Sequence, residues 1–99
     1  MIELKTPIYF EWDEGNQEKN WHKHRVTQEE AEQVFLDPHK QDYPDPAHSK
    51  KELRKILVGR TLKGRMLLLV YTIRGDAIRI ISARDLNKRK EVDLYEKAA

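Results

Sequence analysis

The chain has 99 residues, the size of one domain, and its 36% charged and 38% hydrophobic residues are typical of a globular protein. It contains no cysteine, which excludes a disulfide framework and a thiolate metal site. The longest apolar run, Met66–Tyr71, is too short to cross a bilayer, and the N-terminus lacks the pattern of a secretory signal, so we expect a cytoplasmic protein.

The net charge of +2 conceals an uneven distribution along the chain. Residues 1–49 hold five Lys/Arg and 11 Asp/Glu, a balance of −6, whereas residues 50–99 hold 14 Lys/Arg and six Asp/Glu, a balance of +8. This separation predicts an acidic face and a basic face, and a basic face favours phosphate-rich partners. The same counts also fit a solvated surface of mixed charge, which is the more common case.

The first half of the chain predicts one strand and two helices. Residues Ile8–Trp12 have the aromatic and β-branched side chains of a short strand. A first helix is expected over Glu14–His24, with its cations near the C-terminal end, where the helix dipole favours them. Thr27 and Glu30 form a capping box that opens a second helix. That helix should end at Asp37, because a residue before proline avoids the α region.

The second half predicts four strands and a last helix. Residues 39–49 contain two prolines and no steady period, which is typical of an irregular edge strand and loop. Tight-turn signals join the remaining strands into an antiparallel meander, with the nearly all-apolar strand in the centre. Asp85 is expected to cap the last helix. The three longer strands are expected at Glu52–Gly59, Met66–Ile73 and Asp76–Ala83.

The order of these elements, β-α-α-β-β-β-β-α, predicts the fold class. We expect one α+β domain over residues 1–99, with an antiparallel β-sheet meander, two N-terminal helices and one C-terminal helix. Such a fold does not by itself select a function, which has to be argued from the residues of a site.

Six segments, taken in order, resemble the BrnT family, the ribonuclease toxins of type II toxin–antitoxin systems. The resemblance covers most of the chain, from Tyr9 to about Tyr95. It implies a RelE-like fold and RNA cleavage without a metal ion. It also implies neutralisation by a BrnA-type antitoxin with a ribbon-helix-helix unit, so that DNA is contacted only through the antitoxin. The segments are FEWD at 10–13, KH at 23–24, E-x-R at 52–54, VYT at 70–72, RGD-x-IRIISAR at 74–84 and a final tyrosine.

Two positions depart from the family pattern. The family usually has glycine after the KH, where a helix ends in the left-handed region, and this chain has Arg25. A non-glycine residue in that conformation costs about 1 kcal/mol, so we expect the local turn to differ. The segment Ser49–Lys51 is more basic than the acidic stretch expected there, which could alter contacts with the substrate.

The resemblance directs attention to His24, which aligns with the histidine of the KH. RNA cleavage needs a base for the 2′-OH, an acid for the leaving 5′-oxygen and cations for the phosphate. A histidine titrates near neutrality and can serve as base or acid. Lys23 beside it could hold a phosphate. A cationic side chain at a helix end can instead cap carbonyl groups, and this alternative stays open for His24.

Strand periodicity adds further candidates. Glu52 and Arg54 are two residues apart and share one strand face, so they could form a base-and-clamp pair or a structural ion pair. Arg79 shares an otherwise apolar face with its neighbours and must reach the rim or find a partner. Arg84 at the strand end could meet a phosphate, and Tyr95 could stack on a base. We therefore predict catalytic roles for His24, Glu52, Arg54 and Arg79, and RNA binding by Lys23, Arg84 and Tyr95.

The sequence leaves two functions open, and we expect neither a metal ion nor a cofactor. A metal site at His22 and His24 is disfavoured because residues two apart point to different sides of a helix. The first function is a metal-independent endoribonuclease toxin. The second is a non-catalytic binding module or co-repressor that acts only in complex with its DNA-binding antitoxin. The presence of all the signature polar residues favours the enzyme.

Overall fold

The computed structural model describes residues 9–12, 15, 24–45, 53–86 and 89–98. Gly15 and His24 have helical backbone, but most of the helix predicted over Glu14–His24 lies outside the described residues. Within them, the strands are β1 (Tyr9–Glu11), β2 (Gln41–Pro44), β3 (Arg54–Arg60), β4 (Met66–Arg74) and β5 (Ala77–Asp85), and two helices are α1 (Gln28–Val34) and α2 (Arg89–Ala98).

The five strands form one sheet in the order β1-β5-β4-β3-β2. Strands β2 to β5 form the predicted antiparallel meander, and β4 is the central strand as expected. Strand β1, however, pairs with β5 in parallel, with Glu11 opposite Arg79. The sheet is therefore mixed, and the prediction of a purely antiparallel sheet was wrong. No hairpin joins β1 to β5, so no tight turn imposes an antiparallel direction on this pair.

Local capping explains where helix α1 begins. The backbone N–H of Glu30 donates to Oγ1 of Thr27 at 3.1 Å, and the backbone N–H of Thr27 donates to Oε1 of Glu30 at 3.0 Å. This confirms the predicted capping box. The predicted cap at Asp85 was wrong, because Asp85 is the last residue of β5 and is ion-paired with Arg65.

The core lies between α1 and one face of the sheet. Gly59 of β3 shows how closely they pack, because a Cβ atom there would lie 2.8 Å from Cγ1 of Val34 in α1. The indole of Trp12 packs against the core and donates a 2.7 Å hydrogen bond to Glu32, which ties the end of β1 to α1. The buried cluster comprises Val26, Ala31, Val34, Phe35, Leu57, Leu67, Leu69, Tyr71, Ile78, Ile80 and Ala83.

A bulge in β5 changes which residues share a sheet face. The register pairs Tyr71 with Ile80 but Val70 with Ser82, so Ile81 is an extra residue. Beyond it Ala83 is buried in the core, and Arg84 therefore falls on the same face as Arg79. The simple alternation predicted for this strand holds only up to Ile80. We call the face that carries Arg79 and Arg84 the second face of the sheet.

Candidate functional site

One cross-strand row carries two of the predicted catalytic residues. The register pairs Arg54 with Thr72 and Thr72 with Arg79, so both arginines lie on the second face with one strand between them. Their backbones are therefore about 10 Å apart. The hydroxyl of Thr72 donates a 2.7 Å hydrogen bond to the carbonyl of Leu53, which fixes the start of β3 next to Arg54.

Glu11 extends this row onto strand β1. Its Oε1 lies 3.3 Å from Nη1 of Arg79 and 3.4 Å from Nη1 of Arg74. The expectation that Arg79 needs a partner is therefore met by a carboxylate from the neighbouring strand. We call Glu11, Arg54, Arg74 and Arg79 the arginine end; these side chains carry three positive charges and one negative. Such a group can bind phosphate through bidentate guanidinium contacts.

The opposite end of the sheet is organised by Arg65, a residue that our sequence analysis did not single out. Its Nε and Nη2 donate to the two oxygens of Asp85 at 2.7 and 3.0 Å. Its Nη1 lies 2.9 Å from Oε2 of Glu30. Its remaining contacts go to the turn after the first predicted helix, with Nη2 3.1 Å from the carbonyl of His24 and Nη1 2.9 Å from that of Arg25.

These contacts shift the ionisation of the acidic groups. The hydrogen bond from Arg65 and its positive charge, with a smaller contribution from His24, hold the pKa of Asp85 below its ordinary value. Burial raises the pKa of Glu30, but hydrogen bonds from Thr27 and Arg65 outweigh it, so this pKa is also lowered. The His24 imidazole is thus within electrostatic range of the Asp85 carboxylate. We call His24, Arg65, Arg84 and Asp85 the histidine end.

The turn at Arg25 keeps the conformation that glycine would favour. Arg25 has a φ of +55°, in the left-handed region. The expectation that the turn would differ because glycine is missing was therefore wrong. The strain is about 1 kcal/mol, and the two hydrogen bonds that Arg65 donates to this turn act against it.

The described site residues do not converge on one point. Arg65 holds the carbonyl of His24, whereas Thr72, which separates Arg54 from Arg79, lies seven residues further along the same chain segment. An extended strand of that length spans about 20 Å. The histidine end and the arginine end are therefore separate, and His24 lies apart from Arg54 and Arg79, with which it was predicted to share a catalytic role.

The other predicted residues fall in different places. Arg84 lies at the histidine end, where its Nη1 donates to the carbonyl of Asp85 at 3.0 Å. Glu52 and Lys23 lie outside the described residues. Tyr95 is only 3% exposed, and its hydroxyl donates to Asp37 at 2.6 Å. Its ring is therefore not open to stacking on a base in this structure, and RNA binding by Tyr95 stays a prediction.

Within the ranges described, no three histidine, aspartate or glutamate side chains lie together as candidate metal ligands. Neither of the two helices α1 and α2 is long and apolar enough to cross a membrane.

Comparisons with known proteins agree with the resemblance in the sequence. The profile of a family described as ribonuclease toxin, BrnT, of type II toxin-antitoxin system matches residues 12–90. Among solved structures, the chain is similar to the Brucella abortus ribonuclease toxin, BrnT. The TM-score is 0.65 and the sequence identity 20%, over 82% of this chain and 99% of that one. This likeness shows the fold. No curated protein sequence matches the chain.

Proposed function

Because the chain belongs to the BrnT family of ribonuclease toxins of type II toxin–antitoxin systems, we propose that it is a metal-independent endoribonuclease that halts growth by cutting RNA. The observation that carries the proposal is the family match over residues 12–90, which includes the whole histidine end and the three arginines of the arginine end. The geometry supports a division of labour between these two ends, since they are about 20 Å apart.

In this proposal the bond-breaking step takes place at the histidine end. The 2′-hydroxyl gives up its proton as its oxygen attacks the adjacent phosphorus, the 5′-oxygen leaves and takes up a proton, and a 2′,3′-cyclic phosphate and a 5′-hydroxyl are formed. His24 transfers a proton in this step, since an imidazole can accept or donate one near neutral pH. Lys23 and Arg84 hold the phosphate, whose negative charge increases in the transition state. Cationic side chains thereby supply the charge that a metal ion supplies elsewhere.

The arginine end binds other phosphates of the same strand. Arg54 and Arg79 share the second face of the sheet with Arg84. An RNA strand that follows this face therefore passes from Arg54 and Arg79 to Arg84 of the histidine end. Contacts of this kind hold the substrate in register without taking part in proton transfer, and their strength falls as salt rises.

Membership of a type II system implies an antitoxin partner. We propose that it is of the BrnA type, with a ribbon-helix-helix unit, and that the chain meets DNA only through it. Copurification of the chain with a candidate antitoxin, followed by an operator-binding assay with and without the chain, tests this part. Operator binding by the chain alone would contradict it.

The decisive experiment is cleavage of a defined RNA by the purified chain in excess EDTA. We expect internal cuts with 2′,3′-cyclic phosphate ends. His24→Ala should lower the single-turnover rate at saturating RNA, whereas Arg54→Ala and Arg79→Ala should mainly raise the RNA concentration needed for half-maximal rate. Arg89→Ala is the matched control, because Arg89 is 93% exposed and pairs only loosely with Asp93, at 4.0 Å.

The alternatives have distinct outcomes. Loss of cleavage in EDTA that one divalent metal restores would show that the proposed metal independence is wrong. If His24→Ala kept the saturated rate and Glu52→Gln lost it, the proton transfer would have to be assigned to Glu52 instead of His24. No cleavage and no growth arrest on expression would favour the non-catalytic co-repressor.

A further inference from the structure

We propose that Arg65 is a positioning residue for His24. It holds the left-handed turn at His24–Arg25 against the end of strand β5, and this contact fixes the position of the His24 imidazole. This inference deepens the proposed function and rests on it for the role of His24 in cleavage. Arg65 itself need not contact RNA.

The first support is the number of structural parts that Arg65 joins. It precedes β4, and its guanidinium contacts Asp85 at the end of β5, Glu30 in the first turn of α1, and the two turn carbonyls. Each of its three nitrogen atoms is engaged, and the contact with Asp85 is bidentate. A planar guanidinium in this arrangement sets orientation as well as distance, which a lysine ammonium cannot do.

The second support is the backbone of the turn. Arg25 has a φ of +55°, a conformation that a non-glycine side chain holds only against strain. The carbonyl groups of His24 and Arg25 both accept hydrogen bonds from Arg65, at 3.1 and 2.9 Å. Arg65 therefore acts on the backbone atoms that set the direction of the His24 side chain.

The third support is the charge around His24. The charge of its imidazole contributes to lowering the pKa of Asp85. The carboxylate of Asp85 accepts hydrogen bonds from two nitrogen atoms of Arg65. Arg65 is thus bonded both to the backbone of His24 and to a carboxylate within electrostatic range of its ring. Loss of Arg65 would release the turn and the anion together.

The test compares Arg65→Lys, Arg65→Ala and the double variant Arg65→Ala/Arg25→Gly, with Arg89→Ala as the control for loss of an exposed arginine. Three quantities are measured: the melting temperature, the single-turnover cleavage rate at saturating RNA, and the NMR signals of the histidine rings. His39 serves as an internal reference, because it lies in the turn after α1, where its backbone N–H donates to Oδ1 of Asp37.

We expect Arg65→Lys and Arg65→Ala to lose about tenfold to a hundredfold in saturated rate, as a misplaced catalytic group does, with little change in half-saturating RNA. The His24 ring signals should shift or broaden, and those of His39 should not. Glycine at position 25 adopts the left-handed turn without strain. The double variant should therefore have a higher melting temperature than Arg65→Ala but the same low cleavage rate.

Other outcomes overturn the proposal. A wild-type rate with unchanged His24 signals in Arg65→Lys would show that Arg65 does not position the ring. A double variant that regains both melting temperature and rate would make Arg65 a purely structural residue. The NMR arm keeps the two hypotheses distinct: if the wild type cuts no RNA, the proposed function fails, while the His24 signals still show whether Arg65 fixes the ring.

Discussion

The hydroxyl of Tyr95 in helix α2 donates a 2.6 Å hydrogen bond to Oδ2 of Asp37, which lies just beyond α1. The same oxygen accepts the backbone N–H of Arg60 at 2.8 Å, and Oδ1 accepts that of His39 at 2.9 Å. Burial raises the pKa of Asp37, but these hydrogen bonds outweigh it, so the pKa is held below its ordinary value. Burial and the bond to Asp37 raise the pKa of Tyr95 to about 12. One carboxylate therefore connects α2, β3 and the end of α1.

We predict that Tyr95→Phe destabilises the fold. The substitution keeps the ring but removes a donor from a buried carboxylate, and a hydrogen bond to a charged group contributes about 1.5 to 3 kcal/mol. The free energy of unfolding, measured with urea, should fall by this amount. Tyr9→Phe is the control, since Tyr9 is 56% exposed and should cost under about 0.5 kcal/mol. Equal losses in both variants would show that the Asp37 contact does not stabilise the fold.

The lowered pKa of Asp37 predicts a specific pH dependence. A carboxyl group whose pKa is lower in the folded state stabilises the fold above its unfolded pKa, near 3.8, and this contribution is lost as pH falls through the folded value. Asp37→Asn should therefore be less stable than wild type at about pH 7, and the difference should shrink below about pH 4. Glu30 and Asp85, whose pKa values are also lowered, remain in both proteins, so the difference isolates Asp37. A difference that does not change with pH would contradict the assignment.

Short-range features of this fold were predictable from the sequence, because their causes lie within a few residues. The capping box needs only Thr27 and Glu30, three residues apart. The direction of β1 was not predictable, because its pairing of Glu11 with Arg79 has no local signal in either segment. The extra residue at Ile81 was missed for the same reason, since a bulge is defined by the partner strand.

The candidate site shows the same limit. Strand periodicity gave Arg54 and Arg79 as residues of interest separately, and the register places them in one row. The distance between that row and His24 depends on the length of the strands and on how they pair. Strand periodicity gives neither, so this distance could not be predicted from the sequence. Arg65 was missed because its partners Asp85 and Glu30 are 20 and 35 residues away, so no short motif contains them.

We predict that Gly59→Ala destabilises the fold because the core has no room for a methyl group. The new Cβ atom would lie 2.8 Å from Cγ1 of Val34 and 3.1 Å from Oδ2 of Asp37, and overpacking of this kind costs about 1 to 3 kcal/mol. Adding Val34→Ala removes the closest atom, so the double variant should lose less than the sum of the two single losses. Urea unfolding of all three variants measures this coupling, and strictly additive losses would rule out the clash.

Gly64→Ala is the comparison that separates lack of space from backbone strain. A Cβ atom at Gly64 meets nothing within 4 Å, but its φ of +90° is unfavourable for alanine. We expect a loss of about 1 kcal/mol, and adding Val34→Ala should leave it unchanged. If the loss of stability in Gly64→Ala changed when Val34→Ala was added, the proposed difference in cause between Gly59 and Gly64 would be wrong.

The last prediction concerns Arg79, and it separates RNA binding from folding. Its side chain is 19% exposed and pairs with Glu11, which also contacts Arg74. Arg79→Ala leaves Glu11 its contact with Arg74, and a partly exposed ion pair contributes about 0.2 to 1 kcal/mol, so the melting temperature should change little. RNA affinity should fall. In a plot of the logarithm of the binding constant against the logarithm of the salt concentration, the slope should become shallower by about 0.7 for one lost phosphate contact on a single strand.

Arg79→Lys keeps the charge but loses the bidentate geometry, so its affinity should lie between wild type and alanine. Glu11→Gln removes the competing carboxylate while both arginines remain, so it should bind RNA at least as well as wild type. Weaker RNA binding by Glu11→Gln, or an unchanged salt slope in Arg79→Ala, would remove the arginine end from the RNA-binding surface.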